Sequence, residues 1–208
     1  MARTAGSSGE KTNKAITTAA LALFAERGYA AVSMRSIAQE VGIQVGALYN
    51  HFATKQEVFA KIMFDHMHEL LAAWDVAIKD ASTPVEKIET FVRFHVRYHM
   101  TRHNEVFTSF MELRSLEPDN FAKIEALRKR YEYDIRDILK QGRDNGDFQI
   151  TDPHVSAMAL IAMLTGVTTW YKSGGRLDMS EIEEIYLALA MRSICCEQET
   201  SQLAKKAS

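Results

Sequence analysis

The sequence predicts an all-α protein of about nine helices, and three observations predict it. Helix-start signals recur along the chain, amphipathic stripes at helical spacing follow them, and the alternating apolar and polar runs of strands are nearly absent. The composition agrees: 208 residues, 47% apolar and 25% charged, suit a globular chain with a substantial core.

The first helix is read from Ile16, Ala19, Ala20, Leu23 and Phe24, an amphipathic stripe that stops at Arg27-Gly28. Ser33 caps a second helix with Met34, Ile37, Ala38 and Val41 facing inward, closed by Gly42. A very short third helix covers Val45 to Asn50. Thr54 to Glu57 forms a capping box that opens a long fourth helix into the Trp74 region. Thr83-Pro84-Val85-Glu86 joins a cap to a proline at the first helical position and starts the fifth, which runs to about His103. The sixth is expected over Glu105 to Leu116, with a break at Glu117-Pro118-Asp119. The seventh spans Asn120 to Asp144, stopped by Asn145-Gly146. Asp152-Pro153 opens the eighth, expected to reach Ser173, and a box at Ser180 to Glu183 opens the ninth.

Charge is unevenly spread. Residues 1–55 carry six basic side chains against Glu10, Glu26 and Glu40, a balance of +3, so the rest of the chain carries −5 within the net −2. A small basic module facing an anionic partner and a larger acidic body fit that split. The opening residues have no apolar run, so 1–11 are expected to form a flexible arm rather than a signal peptide. Val155 to Tyr171 holds seventeen residues without a charge, at the short limit for a membrane span, and reads as a buried or interface helix. The adjacent Cys195 and Cys196 make no disulfide framework, and a cytoplasmic location is expected. The tail at 199–208 is polar.

Residues 33–55, SMRSIAQEVGIQVGALYNHFATK, carry the function. Two short helices around Gly42 are the ingredients of a helix-turn-helix. Ala38 sits where the helices approach closest, Gly42 supplies a conformation that a Cβ resists, and Ile43 and Leu48 plug the seam. An ordinary αα-hairpin has the same spacing. The surrounding text sharpens the reading. LFAERGYAAVSMRSIA followed by VGIQVGALYNHFATKQEVF closely resembles the tetracycline-repressor (TetR) family of bacterial regulators. Phe24, Gly28, Tyr29, Ser33, Ile37, Ala38, Gly42, Ile43, Gly46, Leu48, Tyr49, His51, Phe52 and Lys55 carry the match without a gap.

The resemblance implies a homodimer, with a DNA-binding domain at 1–53 and a ligand-binding and dimerisation domain at 54–198. Gln44, Val45 and Gly46 match the opening of the recognition helix, which meets base edges in the major groove. Arg35 matches a position that reaches a guanine, and Ser33, Tyr49, His51 and Lys55 match phosphate contacts. Val45 departs from the basic or polar residue common at its position and suggests contact with a thymine methyl. Asn50 fits an adenine or a phosphate equally.

A regulator of this kind needs an effector site. Phe91, Phe94, His95 and Tyr98 fall near one another on the fifth helix, Phe107, Phe110, Met111 and Arg114 follow on the sixth, and Tyr131 and Trp170 are expected to approach them. Aromatic and methionine-rich linings suit a flat or lipophilic ligand, although such stripes also form plain cores. The stretch from Tyr131 to Gly175 loosely resembles family members that sense acyl-CoA thioesters, for which Arg114, Arg128 or Arg130 would meet the phosphates. His95, His99 and His103 keep to one helix face, a spacing open to a transition metal as well as to ordinary packing. The alternative is therefore a metal-responsive or ligand-independent regulator.

The eighth helix offers Met158, Ile161, Ala162, Thr165, Gly166 and Thr169 at close-packing intervals, faced by Ile182, Ile185, Leu189 and Arg192 of the ninth. Those two helices are the expected dimer seam, and a two-fold pair suits a palindromic double-stranded operator. No nucleophile elbow, phosphate-binding glycine loop or HExxH is present, so neither an enzyme nor a cofactor is expected.

Overall fold

Residues 5–195 are described in this computed structural model, and among them the backbone closes into nine α-helices with no strand. They are α1 (Ala5–Arg27), α2 (Met34–Val41), α3 (Val45–Tyr49), α4 (Lys55–Ala77), α5 (Pro84–Thr101), α6 (His103–Met111), α7 (Pro118–Asn145), α8 (Pro153–Thr165) and α9 (Met179–Ile194). Single turns of 3-10 helix follow α6 at Leu113–Ser115 and α8 at Gly166–Thr169. Among the described residues no helix is long and apolar enough to cross a membrane. Cys196 and the tail at 199–208 lie outside the described residues.

Local chemistry accounts for most boundaries. The Thr83 hydroxyl accepts the Glu86 N–H while the Glu86 carboxylate accepts the Thr83 N–H, and Pro84 at the first helical position loses no bond. Asp152 caps α8 through the N–H groups of His154 and Val155. Five expectations need correction. Helix α1 starts at Ala5, so most of the expected arm at 1–11 continues the first helix. The break before α7 falls at Leu116 and Glu117, and Pro118 takes the first turn of the helix, two residues before the expected Asn120, where its missing N–H costs nothing. Helix α6 starts at His103, two residues before the expected Glu105, and ends at Met111, short of Leu116. Helix α8 ends at Thr165, well before Ser173, because Thr168 and Thr169 return their hydroxyls to the carbonyls of Thr165 and Gly166 and tighten the next turn. Helix α9 is capped by Asp178 with Glu181, two residues before the expected box.

The chain divides into two compact units. The first draws on residues up to His68 together with His103–Ala126, and the second on Glu69–Arg102 and the chain from Leu127. In the first unit, α1, α2 and α3 close over Ile16, Ala20, Phe24, Ile37, Ala38 and Leu48. Phe59 on α4 joins them, edge-on to Phe24 at 5.5 Å and against Tyr29 at 4.7 Å. In the second unit, α5 packs against α8 and α9. Phe148 lies over Gly142, where a Cβ would sit 2.2 Å from the ring, so α7 has no room for any other residue there.

Candidate nucleic-acid interface and effector region

The helix-turn-helix is built from its caps inward. Ser33 and Ser36 cap α2 reciprocally: the Ser36 N–H donates to Ser33 Oγ at 3.1 Å and the Ser33 N–H to Ser36 Oγ at 3.0 Å. At the other end Gly42 takes φ +75°, and the Ile43 N–H returns to the Ala38 carbonyl at 3.0 Å. That turn aims the start of α3 outward. Gln44 is exposed with no side-chain capping bond, Val45 is half-buried, and a Cβ built on Gly46 would meet nothing within 4 Å. Packing within the chain therefore does not require glycine at 46.

Arg35, Tyr49 and Asn50 are exposed, His51 is half-buried, and Phe52 points into the core. Ser33 spends its hydroxyl on the cap. Lys55, expected on a phosphate, is turned inward. Its ammonium donates to the carbonyls of Tyr29 at 2.8 Å and Val32 at 2.7 Å and sits 4.1 Å from the Tyr29 ring, and burial lowers its pKa. The residue ties the α1–α2 loop to α4, a role that its sequence position does not reveal.

The second unit gathers part of the expected effector lining. Phe91, His95, Tyr98 and Tyr131 are buried, and Phe94 is half-buried. Trp74, which the sequence reading did not assign to this group, lies within 5.7–6.1 Å of the rings of Phe91, Phe94 and Tyr131. His95 uses both ring nitrogens, with Nδ1 3.1 Å from the Tyr131 hydroxyl and Nε2 3.0 Å from Thr165 Oγ1. His99 stacks on His95 at 3.7 Å and donates Nδ1–H to the His95 carbonyl. Burial pushes the pKa of His95 well below the usual imidazole value and that of His99 down to about 4, while it raises that of Tyr131. Both imidazoles are thus neutral at pH 7.

Most of the other residues expected in the lining are exposed. Phe110 and Met111 are 60% and 53% exposed on α6, Arg114 is exposed, and Phe107 is half-buried beside His103. Trp170 is 51% exposed and stacks on Tyr186. Arg130 is held by Asp75 through two hydrogen bonds. Among the described residues no group of three His, Cys, Asp or Glu is placed to hold a metal. The three-histidine metal reading is therefore set aside.

On the expected dimer seam, Met158, Ala162, Ile185 and Leu189 are exposed, as is Val155. Thr165 and Ile182 turn inward instead. Glu183, only 2% exposed, pairs with Arg97 through two bonds of 2.7 Å, and Arg93 pairs with Glu184 beside it.

An exposed helix opening held on a capped turn, joined in one chain to a separate helical unit, is the arrangement of a helix-turn-helix regulator. The family follows from the match of residues 16–62 to bacterial regulatory proteins of the tetR family and of residues 81–194 to the tetracyclin repressor-like C-terminal domain. The chain belongs to the TetR family. It is 28% identical over 202 residues to the HTH-type transcriptional repressor KstR2 of Mycobacterium tuberculosis, covering 95% of this chain and 99% of that one. A TetR-family regulatory protein from Rhodococcus RHA1 superposes with a TM-score of 0.84 at 30% identity, covering 89% and 98% of the two chains. AibR, solved with isovaleryl coenzyme A and operator DNA, superposes with a TM-score of 0.81 at 25% identity, covering 86% and 97%.

Proposed function

We propose that the protein is a homodimeric repressor that leaves a palindromic operator when it takes up a lipophilic acyl thioester of coenzyme A. The observation that carries the DNA side is the exposed opening of α3, where Gln44, Val45 and Gly46 are presented by a turn with no internal reason for glycine at 46. Arg35, Gln44 and Val45 read bases, Ser33, Tyr49 and His51 meet the phosphate backbone, and Asn50 meets an adenine or a phosphate. Residues 1–53 form the reading module and 54–198 the sensing and dimerising one. The protein works in the cytoplasm, where the chromosome lies.

The exposed apolar side chains of α8 and α9 support a two-fold pair through those helices. The effector reading is supported by the buried aromatic group around Trp74, Phe91 and Tyr131 and by the coenzyme A thioester bound by AibR. Binding and release are then one linked equilibrium: an effector that prefers the DNA-free conformation weakens operator affinity by the same factor that the operator weakens effector binding.

Fluorescence anisotropy on a duplex that the protein itself selects from a random pool tests the reading. Arg35→Ala should weaken that duplex by about 1–3 kcal/mol and relax specificity at one base. An unchanged affinity removes Arg35 from the base readers. A series of acyl-CoA thioesters from isovaleryl to long-chain should release the duplex; indifference to every member rejects the effector class.

A further inference from the structure

Within the first unit, both ends of the helix-turn-helix are held by one polar hub that the sequence reading did not identify. Its centre is Tyr29, in the loop before α2. The Tyr29 N–H donates to Glu112 Oε1 at 3.2 Å, its carbonyl accepts from Lys55, and its hydroxyl accepts from Gln56 Nε2 at 2.7 Å. The same Gln56 amide donates to the Ser115 carbonyl at 2.6 Å, and its Oε1 accepts the Glu117 N–H at 3.2 Å. Ser115 Oγ in turn donates to Glu112 Oε2 at 2.9 Å. Gly28 makes room for this contact: with φ +77°, a Cβ there would lie 3.2 Å from Glu112 Oε1.

The hub has a direction. Val32, held by Lys55, immediately precedes the cap of α2, and Lys55 opens the helix that follows α3. Reading helix and turn are thus pinned at entry and exit, and Glu112 and Gln56 tie both ends to residues 112–117 between α6 and α7. None of the four hydrogen bonds from Glu112 and Gln56 to Tyr29 and Ser115 is fully exposed. Each is worth roughly fivefold in an equilibrium constant.

We propose that Glu112 and Gln56 are positioning residues for DNA reading: they set the pose of α3 through Tyr29 without touching DNA, and residues 112–117 are the segment whose displacement alters operator affinity. The chain passes from the first unit to the second within α4, between His68 and Glu69, leaves the second after Arg102 and re-enters it at Leu127, so this segment sits in one of the stretches that link the two units in sequence.

Gln56→Met and Glu112→Met keep side-chain length while removing the groups that hydrogen-bond to Tyr29 and Ser115. Each full-length variant is titrated against the selected duplex and an unrelated duplex of equal length, with a thermal melt and amide exchange of residues 28–33 alongside. The proposal expects five- to tenfold weaker binding of the selected duplex, less than twofold change on the unrelated one, and about tenfold faster exchange in the loop with α5 and α9 unaltered. Unchanged affinity for the selected duplex in both variants overturns it. Parallel loss on both duplexes, tracking the melt, overturns it as well, since the hub would then serve stability alone. A wild-type chain that selects no sequence would instead defeat the DNA reading itself.

Discussion

His99 shows how a single residue turns burial into a pH dependence. Its ring stacks on His95, and with its pKa held at about 4 it stays neutral in the fold. The groups around the pair are Tyr131, Thr165, Tyr98 and the Arg128 guanidinium, none of which offers a negative charge. In the unfolded chain the same imidazole takes a proton near pH 6.5. The folded pKa is the lower one, so stability is full above pH 6.5, falls as the unfolded state gains protons, and levels off below about 4. His99 accounts for roughly 3 kcal/mol across that window. Urea unfolding between pH 7.5 and 5.5 should show this slope together with that of His95, and His99→Gln should reduce it to the share of His95. An identical slope in the variant would place the pH dependence elsewhere.

At the scale of elements, α5 and α9 are joined by two ion pairs of unequal character. Arg93 and Glu184 are both substantially exposed, and such pairs contribute little. Arg97 and Glu183 are not symmetric: the guanidinium is 61% exposed, whereas the carboxylate is 3% exposed. Removing the arginine strands a buried charge, but removing the glutamate returns the arginine to water. Arg97→Met should therefore cost about 1–3 kcal/mol and Glu183→Gln distinctly less, by chemical denaturation. Equal losses would mean that the carboxylate is not the dependent partner. The same pair explains why α9 is capped at Asp178 and not at Ser180. Ser180 with Glu183 and Asp178 with Glu181 both satisfy the capping pattern, and only the first glutamate is needed elsewhere, by Arg97. The caps at Ser33, Thr83 and Asp152 faced no such competition and were legible as written.

At the scale of the molecule, Val155, Met158, Ile185 and Leu189 leave large apolar side chains 44–61% exposed on α8 and α9. A two-fold partner would cover them and bring two reading helices to successive major grooves. Met158→Arg with Leu189→Arg should halve the mass in sedimentation equilibrium and weaken binding to a full palindrome far more than to a half-site. A variant that remains dimeric would move the interface elsewhere.

The division between sequence and tertiary structure follows the range of the forces involved. Helical class, most helix starts, the turn at Gly42 and the outward opening of α3 depend on residues within about four positions, because caps and amphipathic stripes are local. These were readable in order along the chain. The inward turn of Lys55, the hub on Glu112, the bond of His95 to Thr165 and the Arg97–Glu183 pair each needed a partner that no local pattern announces. Tyr29 meets Glu112 across 83 positions, Arg97 meets Glu183 across 86, and His95 meets Thr165 across 70. A charged or polar side chain looks the same in sequence whether it faces DNA, water or a buried carbonyl. Only the packing of the helices decided which, since packing sets what water each group loses and which partner replaces it.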